Sequence, residues 1–488
     1  MPPSPTANND ASRDASRDAS RDASPGASRD ASSGVQQPGL HFESALLTNG
    51  WARDVRIECA GAVISRVETG AEPLPGDERA TVGLPGVPNA HSHAFQRGMA
   101  GLTEKRISAT DSFWSWRQLM YQFVSRITPE DLEALAAQAY VEMLEAGFTR
   151  VCEFHYVHHD AKGGEYANPA EMAERIAAAA SQAGIGLTLL PVFYAHGGFG
   201  GAQASAHQAR FLSDVPSYAR LIEASRVAVK PLGDAVVGIA PHSLRAVSPG
   251  ELQSILPLAG NGPIHIHVAE QVREVEECQA ALGARPVEWL IDRNPVDSHW
   301  CLVHATQVLP HEVMALAESG AVAGLCPITE ANLGDGVFPA VDYQRSGGRY
   351  AVGSDSNVLI SLSEELRLLE YGQRLRDGAR KLLATQEKST GRAIFDAVVA
   401  GGAQAAGLSG ETGLAVGAPA DIVSLRDDLA LVGRSEDQIL DTFIFASARG
   451  LIDSVWRAGR KVVSGGVHLE RVSVAARFRE TLQRLVSA

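Results

Sequence analysis

Eight short apolar runs alternate with helical patterns through the middle of the sequence, and this alternation constrains the possible folds more than any other feature. Each run resembles a buried parallel strand, whereas PEDLEALAAQAYVEMLEAG has helical periodicity, with Pro129 at its start and Gly147 at its end. The pattern predicts an α/β protein with a (β/α)8 TIM-like barrel. A doubly wound open sheet is the alternative, but no G-x-G-x-x-G motif follows the first run to indicate nucleotide binding. The runs are TVGLPGVPNA, FTRVCEFHY, IGLTLLPVFYAH, AVVGIAPHSL, PIHIHVAE, HWCLVHAT, AVAGLCPIT and RYAVGSDSN.

The two ends of the chain differ from this middle section. Residues 1–38 carry repeated ASRD units that offer nothing to bury, so we predict a disordered low-complexity tail. Short strand-like segments broken by glycine and proline occupy residues 39–85 and return at residues 408–470, which predicts one small composite β-sandwich domain built from both segments. The barrel is accordingly assigned to residues 86–407, and a C-terminal helix to residues 471–488.

The charge balance argues against a polyanionic partner. The formal net charge is -14, whereas a nucleic-acid-binding surface needs clustered positive charge. No apolar stretch approaches the roughly 18 residues of a membrane span, so we expect neither a nucleic-acid nor a membrane partner. The five cysteines are scattered and form no C-x-x-C pair, which favours the reducing cytoplasm over a disulfide framework.

Histidines and a carboxylate stand at the predicted strand ends, where a barrel of this kind builds its active site. His91 and His93 lie one residue apart in HSHAFQRG, and the period-two alternation of a strand directs both side chains to the same side. Neutral imidazoles with a carboxylate suit a borderline divalent cation, so the pattern predicts a metal site, with zinc as the expected ion and iron(II) as an alternative. The other predicted strand ends carry His155, Tyr156, His242, Arg245, His265, His267, Glu270, His304 and Asp355.

Several motifs carry a resemblance to a known family. NAHSHAFQRG, HVAE, LVHAT and GSDSN, in this order, resemble the amidohydrolase superfamily, whose metal-dependent barrel often carries a small composite β domain. HSHAFQRGMAG, EFHYVHH, PHSLRAVS and CPITEANLGDGVFPA resemble more closely its formimidoylglutamate deiminases, which act in histidine degradation. The resemblance leaves only the repetitive tail unexplained. It implies a homodimeric hydrolase that converts N-formimino-L-glutamate and water to N-formyl-L-glutamate and ammonia.

The resemblance also implies the ligand set of the metal. It makes His91, His93, His267 and Asp355 the ligands of one divalent metal ion. Binuclear relatives need a bridging carboxylate, commonly a carbamylated lysine at the end of the fourth strand, where this sequence reads APHSL. Lys230 lies well upstream of that place and is interpreted as a surface lysine. We therefore expect a mononuclear centre.

Three catalytic roles follow for residues at the strand ends. A bound metal lowers the pKa of its water from about 15.7 toward about 7, and Asp355 is expected to accept the proton as the water attacks the substrate carbon. Glu270 is expected to protonate the imine nitrogen and to pass a proton to the departing ammonia. His304 is expected to orient or polarise the water. The competing interpretations are a helix-start carboxylate for Glu270 and a packed strand histidine for His304.

A substrate with two carboxylates requires cations in the pocket. Arg117 in DSFWSWRQ and Arg245 in PHSLRAVS are the candidates, because a guanidinium can bind a carboxylate in bidentate fashion. The resemblance adds Gln96, Tyr156 and His242 as substrate contacts. A solvated helix arginine is the competing interpretation of Arg117, and the assignment of each arginine to one carboxylate stays open.

Other polar residues near the strand ends receive no catalytic role. His265 shares the face of His267 and is expected to lie deeper and to be structural. His158 and His159 are interpreted as loop residues, and Glu330 as a further pocket contact. Cys326 has no evident activating base in the sequence, so no nucleophilic thiol is predicted.

Three other functions remain possible at this level. A related deaminase acting on guanine or another amino-heterocycle would need amide and aromatic contacts rather than two arginines. A non-catalytic scaffold would keep the barrel but would purify without metal. A binding protein for an anionic metabolite would explain the arginines and leave the converging histidines unexplained.

Overall fold

The strands of the computed structural model belong to sheets of two kinds, one mixed and the others parallel. The structure describes residues 39–105, 113–447 and 450–487, so the tail predicted for residues 1–38 lies outside the described residues. The described strands are β1 (Leu40–Leu47), β2 (Gly50–Ala60), β3 (Val63–Glu68), β4 (Glu78–Pro85), β5 (Val87–Ser92), β6 (Phe148–His155), β7 (Gly186–Phe193), β8 (Val236–Val237), β9 (Ala240–Pro241), β10 (Ile264–Val268), β11 (Trp300–His304), β12 (Val322–Leu325), β13 (Arg349–Val352), β14 (Ile422–Leu425), β15 (Ile452–Arg457), β16 (Arg460–Ser464) and β17 (Val467–His468). The described α-helices are α1 (Phe113–Val124), α2 (Pro129–Glu145), α3 (Glu171–Ala183), α4 (Val215–Ala228), α5 (Pro249–Ile255), α6 (Val272–Leu282), α7 (Pro286–Arg293), α8 (Pro310–Ser319), α9 (Pro327–Leu333), α10 (Ala340–Arg345), α11 (Leu362–Asp377), α12 (Thr390–Ala405), α13 (Asp437–Asp441) and α14 (Arg471–Ser487).

Strands β5 to β13 form the barrel. The parallel runs β5-β6-β7-β8 and β10-β11-β12-β13 form most of the barrel sheet, and β9 pairs with β7. Backbone pairing of Ile239 with Ile264 joins the two runs, and pairing of Ser92 with Asp355 joins the last strand to the first. The short strands β8 and β9 together fill one position of the closed sheet. The predicted (β/α)8 barrel is therefore confirmed.

Strands β1 to β4 and β14 to β17 form one mixed sheet, in the order β17-β16-β15-β14-β4-β1-β2-β3. The two ends of the chain meet where β4 and β14 pair antiparallel. One face of the sheet carries an apolar core of its own, in which the rings of Phe42 in β1 and Trp456 in β15 lie 6.3 Å apart. The composite β domain is confirmed, and its predicted boundary residues stay predictions.

The first apolar run, TVGLPGVPNA, contributes to both sheets rather than to one strand. Gly86 separates β4 from β5, and its amide donates to the carbonyl oxygen of Asp421 at 2.9 Å. A Cβ atom at this position would lie 2.3 Å from the side chain of Thr149, so a larger residue could not fit without rearrangement. The chain thus crosses from the composite sheet to the barrel at one glycine, shortly before His91.

Helix α2 illustrates how local sequence sets an element boundary. The Thr128 side chain accepts from the Asp131 amide, and the Asp131 carboxylate accepts from the Thr128 amide, which forms a capping box before Pro129. The helix begins at Pro129 as predicted. Within the described ranges, no helix combines the length and the apolar character that crossing a membrane requires.

Candidate metal centre and active site

Three histidines and one aspartate converge at the carboxyl end of the barrel. The Nε2 atom of His91 lies 3.2 Å from Nε2 of His93 and 3.0 Å from Nε2 of His267. The Oδ1 atom of Asp355 lies 3.4 Å from Nε2 of His91 and 3.3 Å from Nε2 of His93. All four side chains are buried. The structure thus brings together the four residues that the sequence predicts as metal ligands.

The outer hydrogen bonds of the imidazoles fit a bound cation. The Nδ1 atom of His93 lies 2.9 Å from the carbonyl oxygen of Phe154, and the Nδ1 atom of His267 lies 3.2 Å from the carbonyl oxygen of His242. A carbonyl oxygen only accepts, so both Nδ1 atoms carry the hydrogen and both Nε2 atoms present lone pairs toward His91. A single hydrogen on Nε2 of His91 cannot bind the lone pairs of both neighbouring Nε2 atoms. A cation between the three nitrogens can accept a lone pair from each of them.

The protonation states of these groups also suit a divalent metal. Burial lowers the pKa of His91 to about 3, and burial likewise lowers the pKa values of His93 and His267. Burial raises the pKa of Asp355, but the neighbouring imidazoles hold it below its ordinary value. Three neutral imidazoles and one carboxylate are therefore available, the donor set expected for a borderline divalent cation.

A second group of potential ligands lies nearby and fits a metal less well. His304, Cys326 and Glu330 are buried within ligand distance of one another. Burial raises the pKa of the Cys326 thiol well above its ordinary value, which disfavours the thiolate that binds metals. Among the described residues, the geometry supports one metal position.

A buried polar network ties the first and last barrel strands together beneath the ligands. The side-chain amide of Asn357 donates to the Ser92 hydroxyl at 3.2 Å and to the carbonyl oxygens of His93 and Asp355 at 3.1 Å each. The amide oxygen of Asn357 accepts from the Ser354 hydroxyl at 2.6 Å. Asn357 has a φ of 55°, which asparagine tolerates better than most residues. The network fixes two ligand-bearing chain segments relative to each other.

Glu270 follows the strand that carries His267 and faces the same pocket. Its Oε1 lies 4.0 Å from Nε2 of His304, and its Oε2 lies 4.0 Å from Nη2 of Arg245. Burial raises the pKa of Glu270 to about 7, although His304 and Arg245 act in the opposite direction. A carboxyl group with such a pKa can release and regain a proton near neutral pH.

His304 lies between the metal ligands and Glu270. Its Nε2 is 3.9 Å from Oδ2 of Asp355, and its Nδ1 is 3.3 Å from Oε1 of Glu330. Burial lowers the pKa of His304, but Glu270 and the neighbouring carboxylates raise it to about 10. The prediction of Glu330 as a pocket contact is wrong, because this carboxylate lies behind the imidazole and orients it. The sequence motif TEANLGDG gave no sign of that partnership.

A pocket lies above the metal ligands. Its lining includes Glu270 and His304 together with every residue predicted to contact the substrate. Those predicted contacts are Gln96, Arg117, Tyr156, His242 and Arg245. The sequence prediction omitted three apolar lining residues, since their type does not distinguish a pocket wall from the core. They are Trp116, Met120 and Leu333.

The remaining singled-out residues lie outside this pocket. The Nε2 atom of His265 lies 2.8 Å from a backbone carbonyl oxygen deep in the barrel. The rings of His158 and His159 are likewise held by backbone carbonyl oxygens. His155 is buried but does not line the pocket, and Lys230 is exposed. None of these five residues belongs to the group of four predicted metal ligands or lines the pocket above it.

Two family models match consecutive parts of the chain. The model described as the amidohydrolase family matches residues 82–462. The model described as the N-terminal domain of the formimidoylglutamate deiminase HutF matches residues 39–81. Together they span the barrel and most of the composite sheet.

Individual proteins are similar over nearly the same range. The formimidoylglutamate deiminase of Pseudomonas aeruginosa is 49% identical over 91% of this chain and 98% of its own length. The crystal structure of an amidohydrolase from Brucella melitensis has a TM-score of 0.90 and 54% identity, covering 92% of this chain and 100% of that chain. An 8-oxoguanine deaminase of Pseudomonas aeruginosa is 25% identical over 88% of this chain and 94% of its own length. The similarity is thus much higher to the first two proteins than to the third.

Proposed function

This chain belongs to the amidohydrolase family, and we infer that it is a hydrolase of C–N bonds that converts N-formimino-L-glutamate and water to N-formyl-L-glutamate and ammonia. The match of residues 39–81 to the HutF N-terminal domain and the 49% identity to the Pseudomonas deiminase support this reaction. The reaction fits a step in histidine degradation.

One structural observation carries the inference from this chain's own residues. A single pocket brings a buried metal-binding group together with the titratable Glu270 and with Arg117 and Arg245. Hydrolysis of a formimino group requires a water nucleophile and a proton donor. Binding of a dicarboxylate requires cationic side chains. The pocket contains groups suited to all three tasks.

We propose that Asp355 and Glu270 divide the proton transfers. When held by the four ligands, a divalent cation would supply a water of lowered pKa. Asp355 would accept the proton that is released when the water oxygen bonds to the formimino carbon. Glu270 gives its proton to the imino nitrogen, then takes the hydroxyl proton of the tetrahedral intermediate and transfers it to the same nitrogen. The C–N bond breaks, ammonia leaves, and N-formyl-L-glutamate forms.

His304 is proposed to assist both carboxylates. Its Nε2 lies 3.9 Å from Asp355 and 4.0 Å from Glu270, so it is positioned to orient a water between them. The catalytic cycle closes when the proton on Asp355 returns to Glu270. The pKa of His304 lies at about 10, raised by the surrounding carboxylates against the effect of burial, which supports a donor role for its ring nitrogen.

We propose that the two arginines bind the two carboxylates of the substrate. Arg117 and Arg245 reach the pocket from different elements, α1 and the segment after β9. Gln96 donates to the Tyr156 hydroxyl at 2.9 Å, and this pair with His242 completes the proposed substrate contacts. An amino-heterocycle such as guanine has no carboxylate for the two guanidinium groups.

Three finer features remain proposals. Zinc is the proposed ion, with iron(II) as the alternative, because three imidazoles and a carboxylate match its donor preferences. A homodimer is proposed from the family resemblance. A reducing cytoplasmic location is proposed because all five cysteines are free in this structure and four of them are buried.

Ammonia release tests the proposed reaction. The metal-loaded protein is incubated with N-formimino-L-glutamate or with guanine, beside Glu270→Gln and a matched control. Glu276→Gln serves as that control, because Glu276 is an exposed residue of α6. We expect release from the formimino substrate alone, a loss of roughly 10²–10⁴-fold in Glu270→Gln, and no loss in Glu276→Gln. Release from guanine, with none from the formimino substrate, would contradict the proposed reaction.

A further inference from the structure

The Tyr194 hydroxyl accepts two hydrogen bonds just outside the pocket. Nη2 of Arg117 donates to it at 2.8 Å, and Nε2 of Gln208 donates to it at 2.6 Å. An arginine has no acceptor atom, so the tyrosine oxygen is the acceptor of the first bond. Tyr194 directly follows β7, is 3% exposed and does not line the pocket. The hydroxyl therefore contacts Arg117 from outside the pocket.

The partner of Tyr194 is itself fixed. The side-chain oxygen of Gln208 accepts from the Ser205 amide at 2.8 Å and from the Ser205 hydroxyl at 3.0 Å. Gln208 is buried. Since its amide oxygen is committed to Ser205, its amide nitrogen points toward Tyr194. The tyrosine oxygen is thus held in one position before it meets the guanidinium of Arg117.

A second aromatic residue restricts Arg117 further. The guanidinium carbon of Arg117 lies 5.3 Å from the centre of the Tyr121 ring, within the range of a cation–π contact. The ring of Tyr194 lies 4.6 Å from that of His242, another pocket residue. Tyr194 therefore contacts two proposed substrate-binding residues, one through its hydroxyl and one through its ring.

We propose that Tyr194 is a positioning residue that holds the Arg117 guanidinium toward one carboxylate of the substrate. A flexible arginine loses side-chain entropy when it binds a ligand, and a pre-ordered one loses less, so the hydroxyl strengthens binding without touching the substrate. The inference rests on the proposed function, because it assumes an anionic substrate in this pocket. It adds a residue that selects for acidic substrates.

A double-mutant cycle tests this role. Tyr194→Phe removes the hydroxyl and keeps the ring that packs against His242. Arg117→Met removes the guanidinium, and the double variant removes both. Tyr218→Phe is the matched control, because the Tyr218 hydroxyl is also buried and donates to the Pro191 carbonyl oxygen at 2.8 Å, away from the pocket.

The expected result separates binding from chemistry. Tyr194→Phe should raise KM for N-formimino-L-glutamate by roughly 10-fold, the scale of one hydrogen bond to a charged group, with kcat changed by less than about 3-fold. In the Arg117→Met background the same change should raise KM by less than about 2-fold, since the partner is gone. Calorimetric binding of N-formyl-L-glutamate should follow the KM values, and Tyr218→Phe should leave KM unchanged.

Two other results have distinct meanings. The positioning role alone would be overturned if the wild-type enzyme is active and Tyr194→Phe has the same KM. It would also be overturned if the effects of Tyr194→Phe and Arg117→Met on KM multiply independently in the double variant. A metal-loaded wild-type protein that releases no ammonia from N-formimino-L-glutamate would overturn the proposed function and this inference with it.

Discussion

The floor and the wall of the pocket are built in different ways. The floor is the set of proposed metal ligands, His91, His93, His267 and Asp355. The wall is the set of proposed substrate contacts, Gln96, Arg117, Tyr156, His242 and Arg245. One ligand atom from each floor residue lies within 4.8 Å of the others, and the floor residues lie in barrel strands or within three residues after them. In the wall, Tyr156 and His242 directly follow strands β6 and β9, whereas Gln96, Arg117 and Arg245 lie on helical and loop segments that the strands do not position by themselves.

The difference shows what each region depends on. The positions of the floor follow from barrel closure, in which the Ser92–Asp355 pairing brings the first and last strands together. The position of Arg117 in the wall depends on Tyr194, a residue 77 positions away in the chain. Changes to the floor should therefore act on metal binding and chemistry, and changes to the wall on substrate binding.

The largest expected effect is on the floor. Removing the divalent metal with a chelator should lower ammonia release by at least roughly 10³-fold, because the attacking water loses its lowered pKa. The melting temperature should also fall, because a ligand that binds only the folded state stabilises it. Activity and thermal unfolding measure the two effects, and both should return when zinc is added back. Full activity in protein shown to be free of metal would contradict the role of the floor.

The next effect is on the wall. Arg117→Met and Arg245→Met should each raise KM for N-formimino-L-glutamate by roughly 10–100-fold, since each removes charge-assisted hydrogen bonds to a carboxylate. The metal content should not change, and steady-state kinetics with metal analysis measure both quantities. Arg220→Met provides the control, because the Arg220 side chain is 58% exposed and lies outside the pocket. A loss of metal in either pocket variant would show that wall and floor are not separable.

A smaller effect should distinguish the support beneath the floor from the ligands themselves. Asn357→Gly keeps a residue that accepts the φ of 55° and removes the amide that links Ser92, His93 and Asp355. The affinity for zinc should fall by roughly 10–100-fold, as for other residues that orient ligands, while activity at saturating zinc changes less. Competition with a coloured chelator measures the affinity. Asn294→Gly, which removes another buried asparagine, should leave zinc binding unchanged, and equal losses in both variants would argue against a specific role.

The smallest predicted effect is a pH dependence of stability. Glu153 lies in β6, and its carboxyl group accepts from the Ala94 amide at 2.7 Å, next to His93. Burial raises its pKa to about 8, so the folded state keeps a proton that the unfolded state has lost. Its contribution to stability is complete below the unfolded pKa and declines as pH rises toward about 8.

The variant Glu153→Gln keeps an oxygen acceptor for Ala94 and cannot titrate. Its melting temperature should fall less steeply between about pH 5 and pH 8 than that of the wild type, with a difference of roughly 2–4 °C across that range. The exposed Glu174→Gln on α3 is the control. Parallel melting curves for wild type and Glu153→Gln would show that the buried carboxyl does not couple to folding.

Much of the fold and of the floor could be predicted from the sequence. The alternation of apolar runs and helical patterns predicted the barrel, because a parallel strand that is buried on both faces has a continuous apolar sequence. The spacing of His91 and His93 predicted a shared direction, because strand side chains alternate with a period of two. The division of the run TVGLPGVPNA into β4 and β5 at Gly86 was missed, since an apolar run does not show which of two sheets each half joins.

The sequence by itself determined the barrel and which residue types stand at its strand ends. Tertiary structure alone decided that Glu330 lies behind His304, that Asn357 links two ligand segments, and that Tyr194 holds Arg117. The positions of the strand ends follow from local periodicity and from the shared direction of parallel strands, and both can be inferred from the sequence. Contacts between side chains from distant loops and helices depend on how the whole chain packs, and no local pattern records them.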